Sequence, residues 1–282
     1  MTGIFRSPDG SHRLFQPEHG WRIAPAGFTL DSIFTADDPE SVADSAFANG
    51  EACADIDPVE TAWAPPVGSQ EIWAAGVTYF RSRTARMEEA EQAGGDVFYD
   101  KVYEAARPEL FFKATPARAR GHHDALGIRR DSTWDVPEPE LTLAISSQGR
   151  VFGCTIGNDM SSRSIEGENP LYLPQAKVYT ASCGLGPALW VGLIPGAHTV
   201  ISIAIRRGGQ IVFSGQTQVA QLKRGFDELA SWLFRHNEFP HGALLMTGTG
   251  IVPDSDFTLA PGDETIIAIE GLGELRNAIE AV

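Results

Sequence analysis

The chain has 282 residues, 43% of them apolar or aromatic, and a formal net charge of −15. That length supports a large core and either one domain or a main domain with a small appendage. The acidic balance excludes nucleic acid and anionic membrane as partners, and an anionic small substrate would need local positive charge.

The three cysteines, Cys53, Cys154 and Cys183, are an odd number without metal-type spacing. They point to packing thiols in a reducing cytoplasm. No segment is apolar enough to span a bilayer and no leader is legible, so a soluble cytoplasmic protein that keeps its N-terminus is expected.

In chain order, short strands are expected near Ile4, Leu14 and Trp21, with turns at Pro8-Asp9-Gly10 and His19-Gly20. A helix capped by Asp38 and started by Pro39 follows. The stretch from Trp63 to Gly68, with Pro65-Pro66 inside it, reads as a linker. The expected division is a small N-terminal domain over 1–66 and a catalytic domain over 67–282, which begins with a strand from Glu71 to Gly76. Residues 82–93 turn helical and charged, either a lid or a solvated connection. Further on, a hairpin turns at Gly208-Gly209, a helix from Gly225 to His236 carries Phe226, Leu229 and Leu233 on one side, and the chain returns to strands from Thr265.

The chemistry concentrates in Pro137-Glu138-Pro139-Glu140 and in Gly157-Asn158-Asp159. Pro139 biases Glu138 away from the helical region and cannot donate to a sheet ladder, so the segment begins an extended strand. On that strand Glu138 and Glu140 share a face. The chain turns at Gln148-Gly149 and returns through Val151 to Ile156. A two-residue loop pairs Ser147 with Arg150, which sets Thr142 opposite Thr155, Leu141 opposite Ile156 and Glu138 opposite Asp159. The same register puts Leu141, Leu143, Ile145, Phe152, Cys154 and Ile156 on the other face. Three converging carboxylates without a neighbouring His or Cys suit a hard cation, Mg²⁺ with Mn²⁺ or Ca²⁺ as alternatives, more than Zn²⁺.

Around this hairpin the sequence resembles the fumarylacetoacetate hydrolase superfamily. The match runs through Glu138, Glu140, Gly157, Asn158, Asp159, Ser162, Arg163, Glu166, Gly167, Glu168, Asn169, Leu173, Pro174, Lys177 and Gly186-Pro187. It extends to Phe111-Phe112-Lys113-Ala114, Thr247-Gly248-Thr249-Gly250 and Pro261-Gly262-Asp263, covering roughly residues 70 to 278. The resemblance implies a β-rich α+β fold, a mixed β-roll with flanking helices, assembled as a homodimer or homotetramer. Hydrolytic members read Gly-x-Asn-Tyr-x-x-His where this chain has Gly76-Val77-Thr78-Tyr79-Phe80-Arg81-Ser82, so Ser82 takes the place of the water-activating histidine. Gly76-Val77-Thr78-Tyr79 together with Arg107-Pro108-Glu109-Leu110-Phe111-Phe112-Lys113 looks like the 2-keto-3-deoxy-arabinonate dehydratase branch, which eliminates water from sugar-derived acids.

For that branch a 2-keto-3-deoxy acid is expected to chelate the metal through its carboxylate and 2-keto oxygen. The chelate eases loss of a C3 proton before the C4 hydroxyl leaves, and a pentonate yields 2,5-dioxopentanoate. Arg163 is suited to a forked carboxylate contact, and Lys177 to a point charge or a proton carrier. Glu109 is the expected acid or base, a role Glu166 or Glu168 could also take, with Tyr79, Ser82 and Thr249 orienting the sugar. A carbon–carbon hydrolase of a 2,4-diketo acid, an oxaloacetate decarboxylase or tautomerase, and a non-catalytic metal scaffold remain as alternatives.

Overall fold

A computed structural model describes residues 1–79 and 103–282. The helical stretch expected from residue 82, and Ser82 itself, lie outside the described residues. The chain opens with three short antiparallel strands, β1 (Thr2–Arg6), β2 (His12–Gln16) and β3 (Gly20–Ile23). Helices α1 (Leu30–Phe34) and α2 (Pro39–Asn49) follow, and then β4 (Glu51–Ala52). The Asp38 carboxylate accepts from Ser41 N–H at 3.1 Å and Pro39 occupies the first turn, the capping arrangement read from the sequence.

Strands β5 (Glu71–Gly76), β6 (Glu109–Ala114), β7 (Ala119–Arg120), β8 (Leu126–Ile128) and β9 (Asp135–Val136) lead into the hairpin. The hairpin is β10 (Pro139–Ile145) and β11 (Val151–Asp159). After β12 (Ser161–Ser162) come two short helices, α3 (Arg163–Glu168) and α4 (Leu173–Lys177), and then β13 (Cys183–Val191). The last part holds β14 (Val200–Arg207), β15 (Gln210–Gln218), α5 (Phe226–Leu233), β16 (Ala243–Met246), β17 (Glu264–Ile269) and β18 (Gly273–Ala281). Helix α5 starts after Gly225 as expected and stops at Leu233, three residues earlier than the sequence pattern suggested.

The main sheet runs β4-β3-β2-β1-β13-β11-β10-β16-β5-β6, with β7 added in parallel to β13. Because β1 pairs with β13, residues of the N-terminal segment continue the same sheet as the rest. A second sheet, β15-β14-β17-β18-β8, covers one face. Leu141, Leu143 and Ile145 of the hairpin pack there against a core that also holds Ile203, Ile205, Ile267 and Leu275. The opposite face is covered by α1 and α2, where Phe34, Ala43 and Phe47 join Ala144, Leu185, Leu244 and Ile72. Every residue of β10 is buried, since both of its faces are covered.

The hairpin register is the expected one from Pro139 opposite Asn158 to Ala144 opposite Gly153. It then departs from expectation. Ile145 pairs with Val151 across a bulge, and the Ser146 N–H donates to the Arg150 carbonyl at 2.9 Å, so the loop is one residue longer than read. The extra residue is Phe152, which the bulge turns away from the expected face. It packs against Phe34 on the helix side, ring centroids 5.0 Å apart.

His122 and His123 belong to this scaffold. Both Nε2 atoms lie within 2.9 Å of the Val59 carbonyl, and His122 Nδ1 accepts from the Arg276 N–H at 3.0 Å. The His122 ring is therefore neutral and tethers the N-terminal segment to β18, and burial first of all lowers its pKa. His12 is pushed down to about 4 by burial and then by Arg6. An imidazole with a lowered folded value contributes stability that is complete above its ordinary 6.5 and fades as pH falls toward the folded value. We therefore expect the melting temperature to drop between pH 6.5 and 4, and His12→Phe to flatten part of that slope in melts followed by circular dichroism. Identical slopes for the two proteins would remove His12 from the acid response.

Candidate metal centre and active site

The strand ends that meet at one edge of the main sheet build the site. β10 begins there with Glu138 just ahead of it and Glu140 in its first turn of pleat, and β11 ends there with Asp159. The Asp159 N–H donates to the Glu138 carbonyl at 3.0 Å, which continues the ladder one step past Pro139 and puts the two side chains side by side. One ligand oxygen from each of Glu138, Glu140 and Asp159 lies within 4.8 Å of the others, and all three residues are buried. The next strands contribute backbone. Gly248, just past β16, donates its N–H to Glu140 Oε2 at 2.6 Å. It has φ +91°, and a Cβ there would collide with Thr78 Oγ1, so only glycine fits. Thr78 Oγ1 in turn donates to the Thr247 carbonyl at 2.6 Å. Between Gly76 and Thr78, Val77 is held at φ +52°, a strained setting for a β-branched residue that lines the pocket.

Three cations face the three carboxylates. Arg163 Nη2 is 2.5 Å from Glu138 Oε1. Lys177 Nζ donates to Glu138 Oε2 at 2.6 Å, Asp159 Oδ2 at 3.0 Å and Ser161 Oγ at 2.6 Å. Lys113 Nζ stands 2.5 Å from Asp159 Oδ1. Lys113 was not singled out as a site residue from sequence; its signal was a lone charge inside Leu110-Phe111-Phe112-Lys113-Ala114. Its reach also shows the roll. β6 stands four strands from β11, on the order of 19 Å in a flat sheet, so the sheet curls until the two meet. Lys113, Arg163 and Lys177 thus set three positive charges against the three carboxylates. Glu140 still feels its neighbours: burial, then Asp159 and Glu138, hold its carboxyl well above the ordinary carboxylate range.

Divalent cations relieve this kind of crowding, and the donor set fits one. The cluster offers three anionic oxygens and no soft ligand, which suits Mg²⁺. The pocket over the triad is lined further by Ala75, Gly76, Val77, Phe111 and Thr249. Thr249 Oγ1 is bonded to the Ile251 backbone, donating to its carbonyl at 3.2 Å and accepting from its N–H at 3.1 Å. Glu109 opposes Gly76 on β6, on the triad side of the sheet, and its carboxylate occupies the space a Cβ on Gly76 would take. Tyr79 is buried, and burial together with Glu140 raises its phenol well above the usual value, so it stays protonated. Glu166 is buried on α3. No histidine among the described residues lines this pocket. The buried thiols Cys154 and Cys183, each pushed up to about 12 by burial, serve packing as expected.

Residues 72–280 match the family model described as "Fumarylacetoacetate (FAA) hydrolase C-terminal". The "Probable 2-keto-3-deoxyxylonate dehydratase" of Haloferax volcanii is 48% identical over 219 residues, 77% of this chain and 74% of that protein. The "2-dehydro-3-deoxy-D-arabinonate dehydratase" of Saccharolobus solfataricus is 40% identical over 218 residues, 76% and 73% of the two chains. Among solved structures, "2-keto-3-deoxy-D-arabinonate dehydratase complexed with magnesium and 2,5-dioxopentanoate" superposes with a TM-score of 0.82 at 29% identity, over 100% of this chain and 99% of that one.

Proposed function

The chain belongs to the fumarylacetoacetate hydrolase family, and from that premise we propose that it is a magnesium-dependent hydro-lyase that dehydrates a 2-keto-3-deoxy sugar acid. The observation that carries the reading is a buried triad with Lys177 between two of its members, in a pocket whose described lining contains no histidine and whose lining residue Gly76 has the Glu109 carboxylate beside it. Such a site can move a proton on carbon but has no imidazole among its described residues to activate water. Both the magnesium and the pentonate-derived product of the structural relative agree with this reading.

Glu138, Glu140 and Asp159 would hold the cation, which supplies Lewis-acid polarisation of a 2-keto group when bound. Lys177 adds a positive charge beside the oxygen on which negative charge builds, and Arg163 keeps Glu138 oriented through its ion pair. Glu109 takes the C3 proton, with Glu166 as the second candidate. As the C3–H and C4–O bonds break, the C4 hydroxyl leaves as water after accepting a proton, and a C3–C4 double bond forms. For a pentonate, transfer of a C5 proton to C3 moves that unsaturation outward to a C4–C5 enol, and passage of the enol's hydroxyl proton to C4 gives the aldehyde of 2,5-dioxopentanoate. Tyr79, Ser82 and Thr249 are the hydroxyls assigned to orient the sugar. Among the described residues no helix is long and apolar enough to cross a membrane; in this reading the enzyme acts in the cytoplasm as a homodimer or homotetramer, with residues 1–66 as a small N-terminal unit.

Product identity tests the proposal. Purified protein with Mg²⁺ and a 2-keto-3-deoxypentonate should yield a species lighter by one water, with a new aldehyde that a hydrazine traps. Scission of a 2,4-diketo acid into two fragments, with no dehydration of any 2-keto-3-deoxy acid, would overturn it in favour of a hydrolase.

A further inference from the structure

Lys113 comes, with Glu109 and Phe111, from the far edge of the rolled sheet. Strand β6 pairs with β5 through a bulge: Phe112 opposes Trp73 and Ala114 opposes Ile72, which leaves Lys113 as the extra residue. A bulge frees a side chain from the regular pleat and re-aims it. Here the aimed side chain is fully buried. Its Nζ stands 2.5 Å from Asp159 Oδ1 and donates to the carbonyls of Met160 at 2.9 Å and Lys177 at 2.6 Å. Three oxygens surround an ammonium that has three protons, so nothing remains for a substrate.

We propose that Lys113 is a positioning residue of this site, acting on the reaction through Asp159 and Lys177. The proposal rests on the dehydratase reading for its substrate, but not for its geometry. Two links carry it. On one side, the ammonium holds one oxygen of Asp159 while Lys177 takes the other, which fixes the carboxylate plane between two cations. On the other, it donates to the carbonyl of Lys177 itself, the last residue of α4, a carbonyl that also accepts from Ser182 Oγ at 3.1 Å. One side chain therefore sets the position of the metal-ligand carboxylate and of the backbone from which the Lys177 ammonium reaches Glu138 and Asp159. The alternative role is a clasp that only closes the roll.

Lys113→Met separates the two roles, because methionine keeps much of the volume and loses the charge and all donors. A positioning role predicts that Mn²⁺, titrated without substrate and followed by electron paramagnetic resonance, binds about 3- to 10-fold more tightly once a positive charge beside Asp159 is gone. Turnover should nevertheless fall about 10- to 100-fold at nearly unchanged KM, as expected when alignment present only in the transition state is lost. In a Lys177→Met background the same change should cost several-fold less than it does alone, because the part of its effect that passes through Lys177 is already lost. Weaker Mn²⁺ binding in proportion to lost activity, or full additivity of the two losses, would overturn the proposal. Lys113→Gln, whose amide can donate to both carbonyls without charge, serves where the methionine variant does not fold; failure of both to fold makes the residue a clasp and overturns the proposal as well. Should the wild type dehydrate no 2-keto-3-deoxy acid, the functional reading falls, and the substrate-free Mn²⁺ titration still decides the role of Lys113.

Discussion

Lys177→Met is expected to lower kcat by about 10²- to 10⁴-fold, the range for a lost acid–base or charge-stabilising group. The lysine is fully buried, its Nζ is shared among Glu138, Asp159 and Ser161, and the Phe111 ring lies 5.6 Å away. A methionine fits the same channel but can neither donate nor carry charge, so the loss should fall on turnover more than on the fold. Steady-state kinetics at saturating Mg²⁺, with circular dichroism as the folding control, decide it. A folded variant that turns over within about threefold of wild type would make Lys177 a structural counter-ion. Arg163→Ala should behave differently: its guanidinium orients Glu138 and adds positive charge for an anionic substrate, so its loss should appear first as a raised KM.

The difference between those two cations shows what the sequence could and could not display. The triad was legible because its geometry is local. Pro139 fixes an extended start, the side-chain period of two puts Glu138 and Glu140 together, and antiparallel pairing brings Asp159 across. The strands at Glu71–Gly76 and around Gly208-Gly209 were legible for the same reason, being bounded by turn residues. Phe152 was misplaced because a bulge is a property of the paired strands and the packing beneath them, and nothing in Val151-Phe152-Gly153 announces it. Lys113 stood inside a matched motif but was given no site role for a further reason: its contact with Asp159 exists only when the sheet curls through four strand spacings, a long-range closure no local pattern encodes. Arg163 was expected to meet a substrate carboxylate, and only the tertiary structure shows that it pairs with the triad carboxylate Glu138.

Glu138→Gln and Glu140→Gln should part company in stability while both abolish tight metal binding. Glu138 is buried and answers two cations, Arg163 at 2.5 Å and Lys177 at 2.6 Å. Its amide takes the Glu138 counter-charge from the Arg163 guanidinium and leaves the Lys177 ammonium with Asp159, both in a buried setting. Breaking a buried pair from one side costs about 3–5 kcal/mol, which should appear as a lowered urea midpoint at unchanged m-value. Glu140 makes no ion pair in the described structure; it accepts one N–H from Gly248, and burial and its two acidic neighbours oppose its charge. A glutamine carbonyl can accept the same N–H, and removing a crowded negative charge relieves repulsion. The metal-free Glu140→Gln protein should therefore be at least as stable as metal-free wild type. In Mg²⁺ the order changes, because only the wild type gains stability by binding the ion. Calorimetric titration should show Mg²⁺ affinity reduced by more than about 10²-fold in both variants, as expected when one of three anionic ligands to a hard cation is neutralised. Equal destabilisation of the two metal-free variants would mean that the cations are shared among all three carboxylates, and unchanged Mg²⁺ affinity in both would remove the metal centre on which the proposed reaction depends.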